Sequence, residues 1–175
     1  TPIREAMRRL ELEGLVLMIR RKGAEVAKIS EKSLKDVLEV RRSLEELAIE
    51  LACQRMTDGD IQNLEKAQRA FRDAILNGNA MEIAETDEAY HDVIYNSTQN
   101  ARLVQILNNL REQMYRFRLE YIKEEDKRQI LQLEHEKILA ALHARRVAEA
   151  RAAVREHIDN QEITVLKSIK EREEE

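Results

Sequence analysis

At 175 residues the chain has room for one domain of ordinary size and part of a second. Charged residues make up 37% and hydrophobic ones 43%, with 3% aromatic and a single Pro, a balance that belongs to long amphipathic helices. A net charge of −4 excludes indiscriminate coating of nucleic acid by the whole surface. The lone Cys53 excludes an internal disulfide, and no run approaches the roughly 20 apolar residues of a membrane span, so a soluble protein of the reducing cytoplasm is expected.

The charge is uneven along the chain. Residues 1–23 carry six cations (Arg4, Arg8, Arg9, Arg20, Arg21, Lys22) against three acids (Glu5, Glu11, Glu13), and the remainder has 24 against 31. A basic head thus precedes an acidic body. Thr1-Pro2 offers an N-cap and a first helical residue, and Ile3, Met7, Leu10 and Leu12 continue at helical spacing until Gly14. Residues 16–20 and 24–29 are β-compatible runs around Arg21-Lys22-Gly23, where glycine supplies the positive φ of a hairpin turn. The absence of an initial Met leads us to expect that this head has lost its first part.

From Ser30 onward apolar residues recur at three and four, and six helices are expected, at 31–55, 58–77, 80–96, 101–124, 127–144 and 147–171. Thr57 with Asp60, Asn79 with Glu82 and Asp126 with Gln129 read as capped starts, and Asn100 as a further cap. The charged run 170–175 reads as a solvated helix end.

Helix geometry sorts the four histidines. With about 100° per residue, Ile83, Ala84, Tyr90 and Ile94 define a stripe on the third helix of the bundle, and Asp87 and His91 fall inside it. An isolated carboxylate in an apolar interior costs several kcal/mol unless it is paired or bound to metal. The i, i+4 spacing sets both groups on one face, where they can share an ion. On the fifth helix His135 lies about 40° from the centre of the stripe of Leu131, Ile138 and Leu142, and His143 about 120° away, in solvent. His157 flanks the stripe of Val154, Ile158, Val165 and Ile169. Asp87, His91, His135 and His157 form a candidate set for Zn²⁺, with Ni²⁺ or Mn²⁺ as other occupants; the competing reading is four hydrogen-bonded core residues.

Arg41 shares the stripe of Val37, Leu44, Ala48 and Leu51 and requires an anionic partner, either an internal acid or the carboxylate of a small-molecule effector. Arg111 and Arg118 flank the fourth helix's stripe and are further candidates for that effector. Asn96-Ser97-Thr98 reads as a helix end, not a glycosylation site, and neither a Gly-rich phosphate loop nor a nucleophile motif is present.

The run 1–16, TPIREAMRRLELEGLV, resembles the recognition helix and following turn of the GntR superfamily, and Arg20-Arg21-Lys22-Gly23-Ala24-Glu25-Val26-Ala27 resembles its wing. Residues 31–170 resemble the sensor domain of the FadR subfamily (the FCD domain) in its shorter, VanR-like form. The marks are Val40-Arg41-Arg42-Ser43-Leu44-Glu45, Asp87-Glu88-Ala89-Tyr90-His91 with Asn100 after it, Glu134-His135-Glu136-Lys137-Ile138-Leu139, and the stretch from Ala150 to His157. Tyr90 stands where that family usually has Phe. The resemblance implies an all-α antiparallel six-helix bundle at 30–175, preceded at 1–29 by the end of a winged helix-turn-helix domain.

It also implies Thr1, Arg4, Arg8 and Gly23 at DNA, the metal on Asp87, His91, His135 and His157, and a carboxylate effector at the metal with an arginine at the position of Arg41. The implied function is that of a homodimeric, ligand-responsive repressor on operator DNA, with no membrane partner and no catalysis. The alternative from a different class is a metal-dependent hydrolase activating water at a His₃Asp site.

Overall fold

The computed structural model describes residues 2–174, so Thr1, expected both as a helix cap and at DNA, lies outside the described residues. Helix α1 (Pro2–Leu12) ends where sequence pattern places its stop: Gly14 takes φ 70°, its N–H reaches the Glu11 carbonyl, and the Leu15 N–H reaches back to that of Leu10. This paired closure needs a left-handed residue, which glycine adopts without strain. Strands β1 (Val16–Ile19) and β2 (Gly23–Val26) then pair antiparallel, Val16 opposite Val26 and Ile19 opposite Gly23. Gly23 has φ 103° with open space about its Cα, so the backbone conformation and not crowding demands glycine there. The second strand ends at Val26, short of the expected residue 29, although the Ala27 N–H still bonds the carbonyl of Leu15, the residue opposite it in the antiparallel register.

The body consists of α2 (Glu31–Arg55), α3 (Asp58–Asn77), α4 (Ala80–Ser97), α5 (Ala101–Asn109), α6 (Arg111–Ile122), α7 (Glu125–His143) and α8 (Val147–Glu174). Thr57–Asp60 and Asn79–Glu82 form reciprocal capping boxes, and Asn100 caps α5. Asp126 lies inside the first turn of α7, where its charge favours the helix N-terminus, and does not cap it. The expected fourth helix is interrupted at Leu110 (φ −94°, ψ −4°), which ends α5 and precedes α6. No Gly or Pro marks this break. The two halves follow different neighbours: α5 packs on α2 and α4, α6 on α4, α7 and α8.

Helices α2, α4, α3, α7 and α8 touch in that order around a closed ring, α8 returning to α2. Inside it are two apolar clusters. One gathers Ala48, Ile49, Tyr90, Ile94, Ile138 and Val154; the other gathers Leu34, Leu38, Phe71, Ile83, Leu131 and Ile158. Among the described residues, hydrogen bonds from two side chains tie the head (residues 2–29) to the body: the Gln113 amide donates to the Glu13 carbonyl and the Arg116 guanidinium to that of Ala27. Beside them is a cavity of about 610 Å³ between residues 26–30 and the side chains of Arg116, Leu119 and Ile169.

Candidate metal centre

Four helices cross from one apolar cluster to the other, and each carries polar residues at the crossing. On α2 Leu34 and Leu38 lead to Arg41 and Glu45, then to Ala48; on α4 Ile83 and Ala84 lead to Asp87, with Tyr90, His91 and Ile94 above. On α7 Glu134 and His135 sit between Leu131 and Ile138, and on α8 His157 sits between Val154 and Ile158. Helical periodicity alone therefore assembles a polar layer at mid-height of the bundle.

The layer is closed to water. Asp87, His135 and His157 are 0% exposed, His91 and Glu45 1%, and Arg41 and Glu134 2%. Single ligand atoms of His91, His135 and His157 all lie within 4.8 Å of one another. Asp87 joins them: Oδ1 is 3.2 Å from His135 Nε2 and Oδ2 4.0 Å from His91 Nε2. The His135 ring is stacked on Tyr90 at 4.1 Å between centroids and leans on Phe71 at 4.7 Å, while the Tyr90 hydroxyl donates to the His135 carbonyl at 2.9 Å. His157 Nδ1 meets Glu134 Oε2 at 2.9 Å, and Glu134 Oε1 accepts from Asn160 Nδ2 at 2.6 Å.

Burial sets the protonation states. It alone would raise the Asp87 pKa, but the Arg118 guanidinium and the imidazoles hold that carboxyl well below its ordinary value. Burial also opposes the charge of Glu45, and Arg41 overrides it, bringing Glu45 to about 2. The His91 imidazole is driven well below its usual value by burial, against the pull of Asp87 and Glu45, and His135 is lowered for the same first reason. Neutral imidazoles beside an ionised carboxylate are the donor forms a divalent cation requires.

The donor chemistry fits such an ion. Both ring nitrogens of His91 and His135 are buried without a well-formed hydrogen bond, and the Asp87 oxygens, likewise without one, are met by the Arg118 guanidinium and, at 3.2 Å, by His135 Nε2. A buried polar atom left without a partner costs about 1–3 kcal/mol, and imidazole nitrogens in that state beside a carboxylate are what a bound cation relieves. Three imidazoles and one carboxylate suit Zn²⁺ and borderline ions like it.

The arginines divide. Of the two partners open to Arg41, the structure supplies the internal one: Nε donates to Glu45 Oε1 at 2.5 Å and Nη1 to Gln161 Oε1 at 2.6 Å. Arg118 is buried with Nε against Asp87 Oδ2 and Nη1 3.9 Å from Glu88. Arg111 is half-buried, paired with Glu88 and, at 2.8 Å, with Asp92. These two arginines line a narrow cleft of about 10 Å³ that reaches His91 between α4, α5 and α6, with Tyr95 and Met114 on its walls. Glu45 and Glu134 are site residues that sequence reading missed; for Glu45 the i, i+4 spacing from inward-facing Arg41 was an available signal. His143 is exposed. Arg4 and Arg8 are exposed on one face of α1, a helix that buries no residue, and Gly23 begins β2 at the hairpin tip.

The family profile of the FCD domain matches residues 36–160. The Nta operon transcriptional regulator of Aminobacter aminovorans is 30% identical over 97% of this chain and 79% of its own length. The HTH-type transcriptional repressor GlaR of Escherichia coli (strain K12) is 28% identical over 90% of this chain and 75% of its own. Among solved structures, E. coli McbR/YncC superposes with a TM-score of 0.84 at 20% identity, covering 94% of this chain and 83% of the other. A metal-free FCD domain, that of TM0439, superposes at 0.69 with 14% identity over 82% of this chain and 99% of its own.

Proposed function

The chain belongs to the FCD-domain family of GntR-type transcriptional regulators, and from that premise we propose that it is a repressor whose helical body holds a divalent metal and a small carboxylate effector. It is a regulator and not an enzyme, so the hydrolase alternative falls away. The observation that carries the proposal is the convergence of buried, hydrogen-bond-orphaned atoms of Asp87, His91 and His135 with His157 in one layer of the bundle. These four residues would hold the metal, Zn²⁺ by preference of the N₃O donor set, with Ni²⁺ or Mn²⁺ as competitors. The likeness to an FCD domain described as metal-free supports a family in which the metal is a distinguishing state. When bound, the ion supplies a positive charge that can receive a carboxylate.

Residues 1–29 read as the end of a winged helix-turn-helix head and 30–175 as the sensor body. On the head, exposed Arg4 and Arg8 of α1 face operator phosphates and bases, together with Thr1, while the Gly23 tip enters the adjoining groove. A second copy would pair the heads on a palindromic site, and a cytoplasmic place of work follows from the DNA partner. Among the described residues no helix is long and apolar enough to cross a membrane. Repression is supported by the name of the E. coli relative.

The cleft that reaches His91 marks where an effector would enter once it widens, with Arg118, now on Asp87, and Arg111, now on Glu88 and Asp92, as its carboxylate partners. Arg41 enters this reading as the cation that neutralises Glu45. Helix α6 supplies the coupling: Arg118 holds Asp87, while Gln113 and Arg116 on the same helix hold the head by two carbonyls. An effector that binds one arrangement of α6 better than another shifts the placement of the heads by that difference in affinity.

Elemental analysis of purified protein beside an Asp87→Ala/His135→Ala variant tests the site; about one metal per chain, lost in the variant, is expected. Titration of small carboxylic acids against operator binding at fixed salt tests the switch. Saturable binding of an acid that leaves operator affinity unchanged would reduce the metal to a purely structural part and sink the allosteric reading.

A further inference from the structure

We propose that Glu134 is a positioning residue of the metal centre, fixing His157 in the tautomer that keeps a lone pair on Nε2 for a metal; this inference rests on the metal reading above. The three imidazoles are not held alike. His91 and His135 have no well-formed hydrogen bond on either ring nitrogen, and the polar group that His135 Nε2 meets, at 3.2 Å, is the proposed ligand Asp87 itself. His157 instead has a carboxylate oxygen 2.9 Å from Nδ1. An ionised carboxylate accepts only, so Nδ1 carries the proton and Nε2 is left as the donor atom.

The other side of the ring agrees. Gln161 Oε1 accepts from Arg41 Nη1, and a guanidinium only donates, so the Gln161 amide nitrogen is the group that faces His157 Nε2 at 3.3 Å. An N–H aimed at Nε2 requires a lone pair there. Two independent contacts on opposite edges of the ring thus assign one tautomer.

Glu134 suits this task because it has two oxygens for two donors. Oε2 takes His157 and Oε1 takes Asn160 Nδ2 at 2.6 Å, which fixes the plane of the carboxylate. Its neighbour His135 is itself a proposed ligand, so successive residues of α7, about 100° apart, supply one ligand and hold another. A carboxylate behind a metal-bound histidine sets the ring and strengthens its basicity, and loss of such a partner weakens metal binding by about 10–100-fold. His157 is therefore the ligand whose tautomer is fixed in advance, its Nε2 lone pair passing from the long Gln161 contact to the ion on binding, and His91 and His135 would complete the coordination.

The test uses metal affinity measured by competition with a chelator, with Co²⁺ as a spectroscopic stand-in, and melting of the metal-free proteins as a check on folding. Glu134→Gln nearly preserves shape but replaces the anionic acceptor of His157 Nδ1–H by a neutral amide, and is expected to weaken Zn²⁺ and Co²⁺ binding about 10–100-fold. Adding Asn160→Asp supplies an acceptor for the new amide N–H, frees the Gln carbonyl for His157 Nδ1–H, and should restore a large part of the affinity and the wild-type Co²⁺ spectrum. Glu134→Gln with wild-type affinity overturns the proposal, and so does a double variant as weak as the single one. If the wild-type chain binds no metal, the metal reading falls and this inference with it; if wild type binds and Asp87→Ala does not, the Glu134 results speak for the positioning role alone.

Discussion

Helix α1 buries no residue, whereas the four helices around the histidines bury charged or hydrogen-bonding groups in line with their apolar stripes. In the head, Arg4 and Arg8 remain hydrated and cost the fold almost nothing. In the bundle, Asp87, Arg118, Arg41 and Glu45 each depend on a specific counter-charge, and Glu134 on its two hydrogen-bond donors, since a buried charge without partners is expensive. Stability and recognition are thereby assigned to different ends of the chain. On the proposed reading, the body would respond to an ion through its buried imidazoles, and the head would read DNA with side chains that it leaves in solvent.

The sharpest way to break this comparison is to remove one counter-charge in the body. Asp87→Ala should abolish metal binding and, in metal-free protein, leave the Arg118 guanidinium buried beside only the more distant Glu88, at a cost of about 3–5 kcal/mol in urea unfolding. A loss below about 1 kcal/mol would mean that the layer admits water or relaxes freely.

Acidification is expected to act next. In metal-free protein His91 and His135 have folded pKa values below the ordinary 6.5, so as pH falls past that value the unfolded chain takes up protons that the folded one refuses. Stability, undiminished above about 6.5, should decline below it by up to about 1.4 kcal/mol per pH unit for each histidine. Glu45, at about 2 against an ordinary 4.5, adds a further loss of the same sign between those values. Melts of chelator-treated protein from pH 8 to pH 4 check this, and a flat profile would contradict neutral, buried imidazoles.

The smallest effect on the fold is expected in the head. Arg4→Ala should change unfolding by less than about 0.5 kcal/mol while lowering the salt dependence of operator binding by about one unit of slope. Filter-binding or fluorescence titrations at several salt concentrations measure it. A marked stability loss instead would mean that α1 supports the bundle.

The residues the sequence exposed were those whose chemistry conflicts with their stripe. Asp87, His91 and His135 stood out because polar groups occupied apolar phase on a helix, and Arg41 did so for the same reason. His157 stood only at the edge of its stripe, yet it is wholly buried, because α2 and α7 close over that flank of α8. Glu134 escaped notice: its contacts come from His157 and Asn160 on another helix, and no periodicity within α7 reports them. The break at Leu110 was equally silent, since residues 101–124 contain good helix formers and no Gly or Pro, and the direction of α6 follows from helices distant in sequence.

The grip of α6 on the head has an evolutionary corollary. Gln113 and Arg116 both end on main-chain carbonyls, those of Glu13 and Ala27. Every amino acid brings a carbonyl, so these contacts impose no choice of side chain on the head. If α1 reads an operator as proposed, its residues can drift with the DNA they recognise while the joint to the body stays intact, and a body of this kind can be passed between heads of different specificity without relearning how to hold them.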